Sequence, residues 1–405
     1  MITLFDKSFL QSLTVDESVW FDHFFITNIC PIFYVETLAD LDKQVRKGRT
    51  SEQEVEIIAK KSPEVHGSPC IHHFDLCVND LTGFSVPMTG QIPIRGRTVK
   101  VEDKTSGFAE PSPESEAFSR WQKGEFLNIE RQFARYWRTA LSNLDLNAVA
   151  RNFGILGIDA KSCKSLEDAK SISKNIVYSN SEPHRIMELA FIFLGFTEEL
   201  RLRILERWAN SNYSPLHEYA PYVAHVLTIE LFFHIALAAG LISSAHPSNR
   251  IDIAYLFYLP FCMIFVSSDH LHKQCVPLFL REDQAFIWGQ DLKKSLTKIN
   301  RYYSQLPDEI KERGVVSFAS DLPKINDPII EQLRHKFFKQ QARTVDKATN
   351  KLKTTDILSK IKMIEAAPSL PLDPKNFDAE NTESVVIKRH VKRIKGSWYQ
   401  IPKKS

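Results

Sequence analysis

The sequence predicts an α/β fold in which helices flank a parallel sheet. Near the N-terminus, and again after Arg250, short apolar runs that end at polar or acidic residues alternate with segments of helical spacing. Strands buried in a parallel sheet are continuous apolar runs, and helices connect them. The 405 residues, 43% hydrophobic and 25% charged, describe a globular chain long enough to bury a core.

The chain is predicted to begin with a strand and two helices. Residues 2–5 are an apolar run that stops at Asp6, which predicts a buried strand, and a helix is expected from Ser8. Residues 16–25 begin with acidic side chains and continue with apolar spacing, which predicts the second helix.

A second strand and a third helix are expected next. Residues 29–35 form another apolar run, and residues 36–47 have helical spacing that ends at Gly48. The order strand, helix, strand, helix is typical of an α/β domain with a parallel sheet.

The middle of the chain interrupts this alternation. Residues 62–113 are rich in proline and contain short β-like runs, which predicts loops and a small hairpin. Helical spacing then covers 115–144, 183–210 and 216–243. The alternation resumes at Arg250, with a helix over 251–258 and a third buried strand over 262–266.

These elements divide the chain into three predicted parts. The α/β domain is discontinuous and comprises residues 1–48 and 183–305. Residues 49–182 are an insertion that is loop-rich and then mostly helical. Residues 306–405 form a helical, basic extension with a partly mobile tail. Helical spacing covers 283–305, at the end of the α/β domain, and 326–353, within the extension.

Composition and motifs exclude several classes of protein. The net charge of +3 is too small for a polycationic coating protein, and no Walker, GxGxxG, GxSxG or HExxH motif is present. The six scattered cysteines predict reduced thiols, and the first residues lack the pattern of an export signal. His225, Glu230 and His234 interrupt the most hydrophobic stretch, which predicts a buried helix. We therefore expect a cytoplasmic protein with no membrane partner.

Four carboxylates are predicted to converge at one edge of the sheet. Asp6, Glu36 and Asp269 each follow a predicted strand, and Asp252 lies in the helix that leads into the third strand. The carboxyl ends of parallel strands share one edge, where functional residues gather. Clustered carboxylates repel one another unless divalent cations lie among them, and hard oxygen ligands suit Mg²⁺ or Mn²⁺.

The residues around these carboxylates resemble the four acidic motifs of PIN domains, in that family's order. Phe-Asp6-Lys-Ser8 has the hydroxyl residue that follows the first PIN aspartate by two positions. Val-Ser267-Ser-Asp269 differs from the family's apolar-Thr-x-Asp motif only by Ser for Thr. Tyr-Val-Glu36 and Arg-Ile-Asp252 correspond to the second and third motifs.

The resemblance covers about residues 1–48 and 248–275. It implies a PIN-like fold and Mg²⁺- or Mn²⁺-dependent cleavage of RNA, single-stranded or structured, in which the catalytic metal ligands are Asp6, Glu36, Asp252 and Asp269. The large insertion between the second and third motifs departs from a compact PIN domain. A catalytically inactive PIN-like module that binds RNA or serves assembly is therefore the alternative. PIN domains often pair, so a homodimer is among the states that the resemblance allows.

Further residues are candidates for contacts with the RNA. Ser8 and Ser267 lie within the motifs, and a stripe of cations at helical spacing follows one face of the predicted helix over 326–353. The stripe comprises Lys336, Lys339, Arg343, Lys347 and Lys351. A second basic run over 388–395, which includes Lys392 and Arg393, leads into Trp398 and Tyr399. Cations neutralise phosphates and aromatic rings stack on bases.

Each of these features also has a structural interpretation. A single Asp at a strand end is usually a helix cap or a turn residue, and charge runs are usually solvated faces. Residues 70–77 contain zinc-ligand types, but their spacing matches none of the usual paired patterns. His270 and His272 flank Asp269 closely enough to contact a phosphate or the acidic cluster, but they are interpreted as polar residues at a helix start. The aromatic residues over 121–137 are interpreted as core rather than as a base-stacking platform. An all-helical scaffold with incidental acids is a third hypothesis.

Overall fold

The computed structural model describes residues 1–43, 48–101, 104–153, 163–338, 354–370 and 384–403. Its strands are β1 (Ile2–Phe5), β2 (Ile26–Ile29), β3 (Gly67–Pro69), β4 (Arg97–Val101), β5 (Lys104–Ala109), β6 (Ile264–Ser267), β7 (Ala285–Trp288), β8 (Ser384–Ile387), β9 (Ile394–Lys395) and β10 (Trp398–Tyr399).

Helices make up most of the rest of the described chain. The first ten are α1 (Lys7–Ser12), α2 (Val15–Phe24), α3 (Pro31–Leu38), α4 (Ser51–Lys61), α5 (His73–Thr82), α6 (Pro113–Trp121), α7 (Asn128–Ser142), α8 (Leu146–Phe153), α9 (Leu166–Val177) and α10 (Pro183–Leu194). They are followed by α11 (Glu198–Asn210), α12 (Leu216–Tyr219), α13 (Pro221–Ala238), α14 (Asn249–Ala254), α15 (His270–Phe279), α16 (Gly289–Ser304), α17 (Asp308–Lys311), α18 (Val315–Phe318), α19 (Pro328–Leu333) and α20 (Thr354–Ala366).

The predicted α/β class is confirmed, because a five-stranded, all-parallel sheet forms the centre of the protein. Its strand order is β3-β2-β1-β6-β7. From the central strand β1 the chain moves to β2 and β3 on one side, and it returns to β6 and β7 on the other. The connections therefore change direction between β1 and β6. In open parallel sheets this switch point, at the carboxyl edge, is where a crevice for ligands opens.

The predicted strand over 29–35 is wrong. Strand β2 ends at Ile29, and the residues that follow form helix α3. Pro31 is the first residue of this helix, where its fixed φ suits a helix and its missing N–H leaves no bond unmade. Glu36 consequently lies in the second turn of α3 rather than at the end of a strand.

Two strands of the sheet have no counterpart in the predicted elements. Strand β3 lies within the segment 49–182 and pairs with β2, so part of that segment belongs to the central sheet. Strand β7 lies within 283–305, which is predicted to be helical, and it runs directly into α16. The expected hairpin is present as β4 and β5, and β8 extends it to a three-stranded sheet.

Helix α13 is the core helix of the helical segment. In the described part of the chain it is the one helix whose length and composition would let it cross a membrane, but 78% of its apolar window is buried inside the protein. Core helices of soluble proteins have this property, in agreement with the predicted buried helix. All six cysteines are free and buried, which agrees with the expected reduced thiols.

The C-terminal segment 384–403 packs against the α/β unit. Trp398 is buried edge-on against Trp20 with ring centroids 4.7 Å apart, and both indole N–H groups donate to Asn300 Oδ1 at 2.9 Å. The buried ammonium of Lys395 donates to the carbonyl of Ser62 at 2.6 Å. Lys395 and Trp398 therefore belong to the folded core.

We expect Trp398→Ala to lower the free energy of unfolding by about 3–5 kcal/mol, because it removes a buried indole and leaves a cavity beside Trp20. Urea denaturation of the full chain measures this change. The control is Ile401→Ala in the same segment, where the side chain is 38% exposed and the expected change is within about 0.5 kcal/mol. A loss of less than about 1 kcal/mol for Trp398→Ala would contradict a structural role.

Candidate active site

Asp6 follows β1 and is almost fully buried. It caps helix α1 through Oδ1, which accepts the N–H of Phe9 at 2.9 Å. Its Oδ2 accepts the hydroxyls of Ser8 at 2.6 Å and of Ser267 at 2.9 Å. Burial alone would raise the pKa of Asp6, but the imidazole of His272, with the Ser8 and Phe9 hydrogen bonds, lowers that pKa below its usual value. Asp6 is therefore ionised at neutral pH.

Asp269 follows β6 and lies beside Asp6 through a shared serine. Its backbone N–H donates to Ser267 Oγ at 2.9 Å, and the same hydroxyl donates to Asp6. Asp269 caps helix α15, because its Oδ1 accepts the N–H groups of Leu271 at 2.7 Å and His272 at 3.2 Å. The second carboxylate oxygen of Asp269 has no hydrogen bond to any described residue.

His272 is fully buried between these carboxylates. Its Nε2 lies 2.7 Å from the backbone carbonyl of Asp252, and its Nδ1 lies 2.8 Å from Ser267 Oγ and 3.7 Å from Asp6 Oδ2. Burial alone would lower the pKa of His272, but Asp6 and Asp252 raise it to about 9. In the resulting imidazolium, Nε2 donates to the Asp252 carbonyl and Nδ1 donates to Ser267 Oγ. The Ser267 hydroxyl in turn donates its proton to Asp6.

Asp252 is the carboxylate that links the cluster electrostatically. It lies half-buried in helix α14, and its side chain has no hydrogen bond or ion pair to the described residues. Burial, and then the charges of Glu36, Asp269 and Asp6, raise the pKa of Asp252 to about 7, although His272 opposes them. An effect from all three acids requires that they lie close to Asp252. Glu36, Asp269 and Asp6 therefore all lie within electrostatic range of Asp252.

Glu36 reaches the cluster from helix α3 and has two partners. Its Oε2 accepts the hydroxyl of Tyr255 at 2.7 Å, and its Oε1 lies 3.4 Å from Lys7 Nζ. Lys7 also pairs with the buried Asp40 at 3.2 Å, and Asp40 in turn lies 3.4 Å from the guanidinium of Arg138. Asp40 therefore forms ion pairs with Lys7 and Arg138 at the side of the cluster, and Lys7 partly neutralises the charge of Glu36.

An ion pair in the helical segment fixes helix α14. Arg250 pairs with the buried Glu230 of α13 at 2.5 Å, and its guanidinium lies 5.9 and 5.8 Å from the ring centroids of Phe233 and Phe257. Because Arg250 is two residues before Asp252, this anchor also sets where Asp252 lies. Core packing of the helical segment thus contributes to the position of one acid.

The residues predicted to contact RNA lie in different places. Ser8 and Ser267 are hydrogen-bonded to Asp6, as described above. Lys336 donates to the carbonyl of Gln284 at 2.6 Å, next to the amino end of β7 and so away from the carboxyl edge. Lys392 donates its backbone N–H to Glu64 at 2.8 Å, and the exposed Arg393 donates to the carbonyl of Lys403 at 3.2 Å. The rest of the predicted stripe lies outside the described residues: Lys339, Arg343, Lys347 and Lys351.

The donor chemistry of the cluster suits a hard divalent cation. Its oxygens come from carboxylates, and among the described residues the Asp252 side chain and one oxygen of Asp269 have no hydrogen-bond partner. Within the described ranges, however, no three His, Cys, Asp or Glu side chains already stand together as a metal-ligand set. Two cations of the protein itself, Lys7 and His272, lie among the acids in this state.

A cavity of about 500 Å³ lies elsewhere in the protein. It adjoins the ends of β2 and β3, where Ile29, Cys70 and Arg389 line it, and none of the four clustered acids does. The acidic cluster is instead at the switch point between β1 and β6. The chain has no match among protein-family models, curated proteins or solved structures. What the site can do is therefore inferred from its own geometry.

We expect Asp252→Asn to stabilise the protein at pH 8 and to change its stability little at pH 4. In the unfolded chain this carboxyl titrates near its ordinary pKa of 3.8, but in the folded chain near 7. The folded state therefore retains a proton that the unfolded state loses, so Asp252 costs stability increasingly as pH rises from about 4 to about 7. The amide has no charge to desolvate, and the variant lacks this cost.

Melting temperatures of wild type and variant, measured across this pH range, test the expectation. Asp308→Asn is the control, since Asp308 is exposed and pairs with Lys311 on the surface at the start of α17. An equal loss of stability at both pH values in Asp252→Asn would contradict the electrostatic account.

Proposed function

We propose that this protein is a metal-dependent ribonuclease with a PIN-like fold. The observation that supports the proposal best is the electrostatic coupling of Asp252 to Glu36, Asp269 and Asp6 near the switch point of a parallel sheet, which together with burial raises the pKa of Asp252 to about 7. Stable proteins avoid partly buried like charges, and such clusters with perturbed pKa values occur preferentially at functional sites. The order of the acidic motifs along the chain supports the PIN-like part of the proposal.

In this proposal the four carboxylates hold Mg²⁺ or Mn²⁺. When bound, such an ion lowers the pKa of a water molecule and stabilises the attacking and leaving oxygens of phosphodiester hydrolysis. The remaining residues position the acids. Ser267 and His272 orient Asp6 and the backbone of Asp252, the Tyr255 hydroxyl orients Glu36, and Lys7 limits the repulsion at Glu36.

RNA is the proposed substrate and the cytoplasm the proposed location. The substrate follows from the motif resemblance. The location follows from six buried, unpaired thiols, which are typical of a reducing compartment.

A second candidate is a PIN-like module that binds RNA or serves assembly without catalysis. One specific observation favours it: Asp6 already accepts three hydrogen bonds, and Lys7 and His272 partly neutralise the acids from within the protein. A site that supplies its own cations has less need of a metal. This candidate predicts salt-sensitive RNA binding with no turnover.

Purified protein is expected to cleave labelled RNA with Mn²⁺ or Mg²⁺ and to lose that activity in EDTA. Asp269→Asn and Asp252→Asn are each expected to reduce cleavage by about 100-fold or more, because each removes a charged ligand from the cluster. The control Asp308→Asn, exposed at the start of α17, should cleave at the wild-type rate.

Mixed labelled RNAs and single-stranded DNA, incubated with each protein and each metal, provide the measurement. Full metal-dependent cleavage by Asp269→Asn would show that the site is wrongly assigned. RNA binding without cleavage by wild type would support the second candidate and exclude the first.

A further inference from the structure

An aromatic ring and two side chains with cationic forms lie next to Asp269 at the carboxyl edge. Strands β6 and β7 pair so that Trp288 stands opposite Ser267, one strand away from the acidic cluster. Trp288 is the last residue of β7 and is only half-buried, because β7 is the edge strand of the sheet. Its indole thus borders the candidate active site.

Helix α15 supplies the other two side chains. Lys273 Nζ lies 5.0 Å from the centroid of the Trp288 ring, and the imidazole of His270 lies 5.4 Å from it. Both residues are exposed, and His270 directly follows Asp269. One face of the cluster therefore presents an indole with a lysine and a histidine at its side.

A close approach of two loops fixes the indole in this place. Gly289, which follows Trp288, is buried against the loop that ends β6. A Cβ there would overlap Ser268 Oγ and would lie 3.0 Å from a ring carbon of Phe9. Gln290 also donates to Ser268 Oγ at 3.4 Å. The loop after β7 is thus packed directly on the loop that contains Asp269.

The charge on Lys273 is not matched by an acid. Within the described residues its ammonium has no ion pair, and it lies over the indole ring of Trp288. The nearby Lys294, by contrast, pairs with Asp291 at 2.9 Å. An unmatched ammonium beside an aromatic face is the combination that binds a phosphate and a stacked base together.

We propose that Trp288, Lys273 and His270 form a subsite for one nucleotide of single-stranded RNA beside the acidic cluster. The indole stacks on the base, the ammonium of Lys273 contacts the adjoining phosphate, and His270 borders the ribose-phosphate backbone next to Asp269. Duplex RNA keeps its bases stacked on each other and cannot offer a free face. The assignment rests on the proposed function in taking RNA as the substrate, and it narrows that substrate to unpaired RNA.

Fluorescence anisotropy of a labelled oligouridine of about 12 nucleotides, with the full chain in EDTA, measures binding without cleavage. We expect Trp288→Ala to weaken binding about 10-fold or more, and Trp288→Phe, which keeps a stacking ring, to retain affinity within about threefold. Lys273→Ala should reduce the slope of log affinity against log salt concentration by the amount expected for about one lost phosphate contact.

The chain offers a matched control in its helical segment. Tyr178 is 42% exposed, Lys174 Nζ lies 5.5 Å from its ring centroid, and the ring of His217 stacks on it at 5.0 Å. Tyr178→Ala removes a similar ring with similar neighbours and is expected to leave binding unchanged.

The outcomes separate this subsite from the nuclease assignment. The subsite would be overturned if wild type bound no RNA, or if wild type and Trp288→Ala bound it equally. It would also be overturned if Trp288→Ala and Tyr178→Ala lost the same affinity, or if duplex RNA bound as tightly as the single strand. If Trp288→Ala loses binding while Trp288→Phe retains it, the subsite stands even where wild type cleaves no RNA with any metal. If Trp288→Ala changes neither cleavage nor binding, the nuclease assignment stands and the subsite is wrong.

Discussion

The buried imidazole of His272 is the group on which the arrangement of the acidic side chains depends. Its nitrogens contact the end of β6 through Ser267 and helix α14 through the carbonyl of Asp252, and Asp6 of β1 lies 3.7 Å away. It therefore joins three chain segments that are far apart in sequence. A buried cation is stable there because carboxylates surround it, and the carboxylates can approach one another because the cation lies among them.

The helical segment between α3 and β6 has a structural part in the same site. Arg250 anchors α14 to the core helix α13 through Glu230, so the packing of that segment sets the position of Asp252. The site consequently combines a parallel sheet, which supplies Asp6 and Asp269, with a helical layer that supplies Asp252, whose pKa is raised. Supporting residues on rigid elements keep a functional constellation in a fixed geometry.

The sequence predicts those parts of the fold in which local pattern and burial agree. Strands β1 and β6 are buried on both faces, so each is a continuous apolar run that ends at a polar residue. This pattern predicts both strands and places Asp6 and Asp269 after them. The run over 29–35 is apolar whether it forms a strand or a buried helix, and Pro31 decided for the helix. Strand β7 has four residues and continues directly into a helix, so the sequence pattern does not distinguish it from that helix. The position of Trp288 at the end of a strand is therefore not predicted. The role of His272 depends on contacts between α14, α15 and β1 that no local pattern contains.

Isothermal titration of the full chain with Mn²⁺ near neutral pH tests most directly whether the four carboxylates form a cation site. Because Asp252 has a pKa of about 7 in the folded protein, binding at this site must displace its proton. We predict one saturable site, a binding heat that depends on the ionisation enthalpy of the buffer, and a lower affinity with no such dependence in Asp252→Asn. No binding, or equal affinity and equal proton release in wild type and Asp252→Asn, would contradict the account.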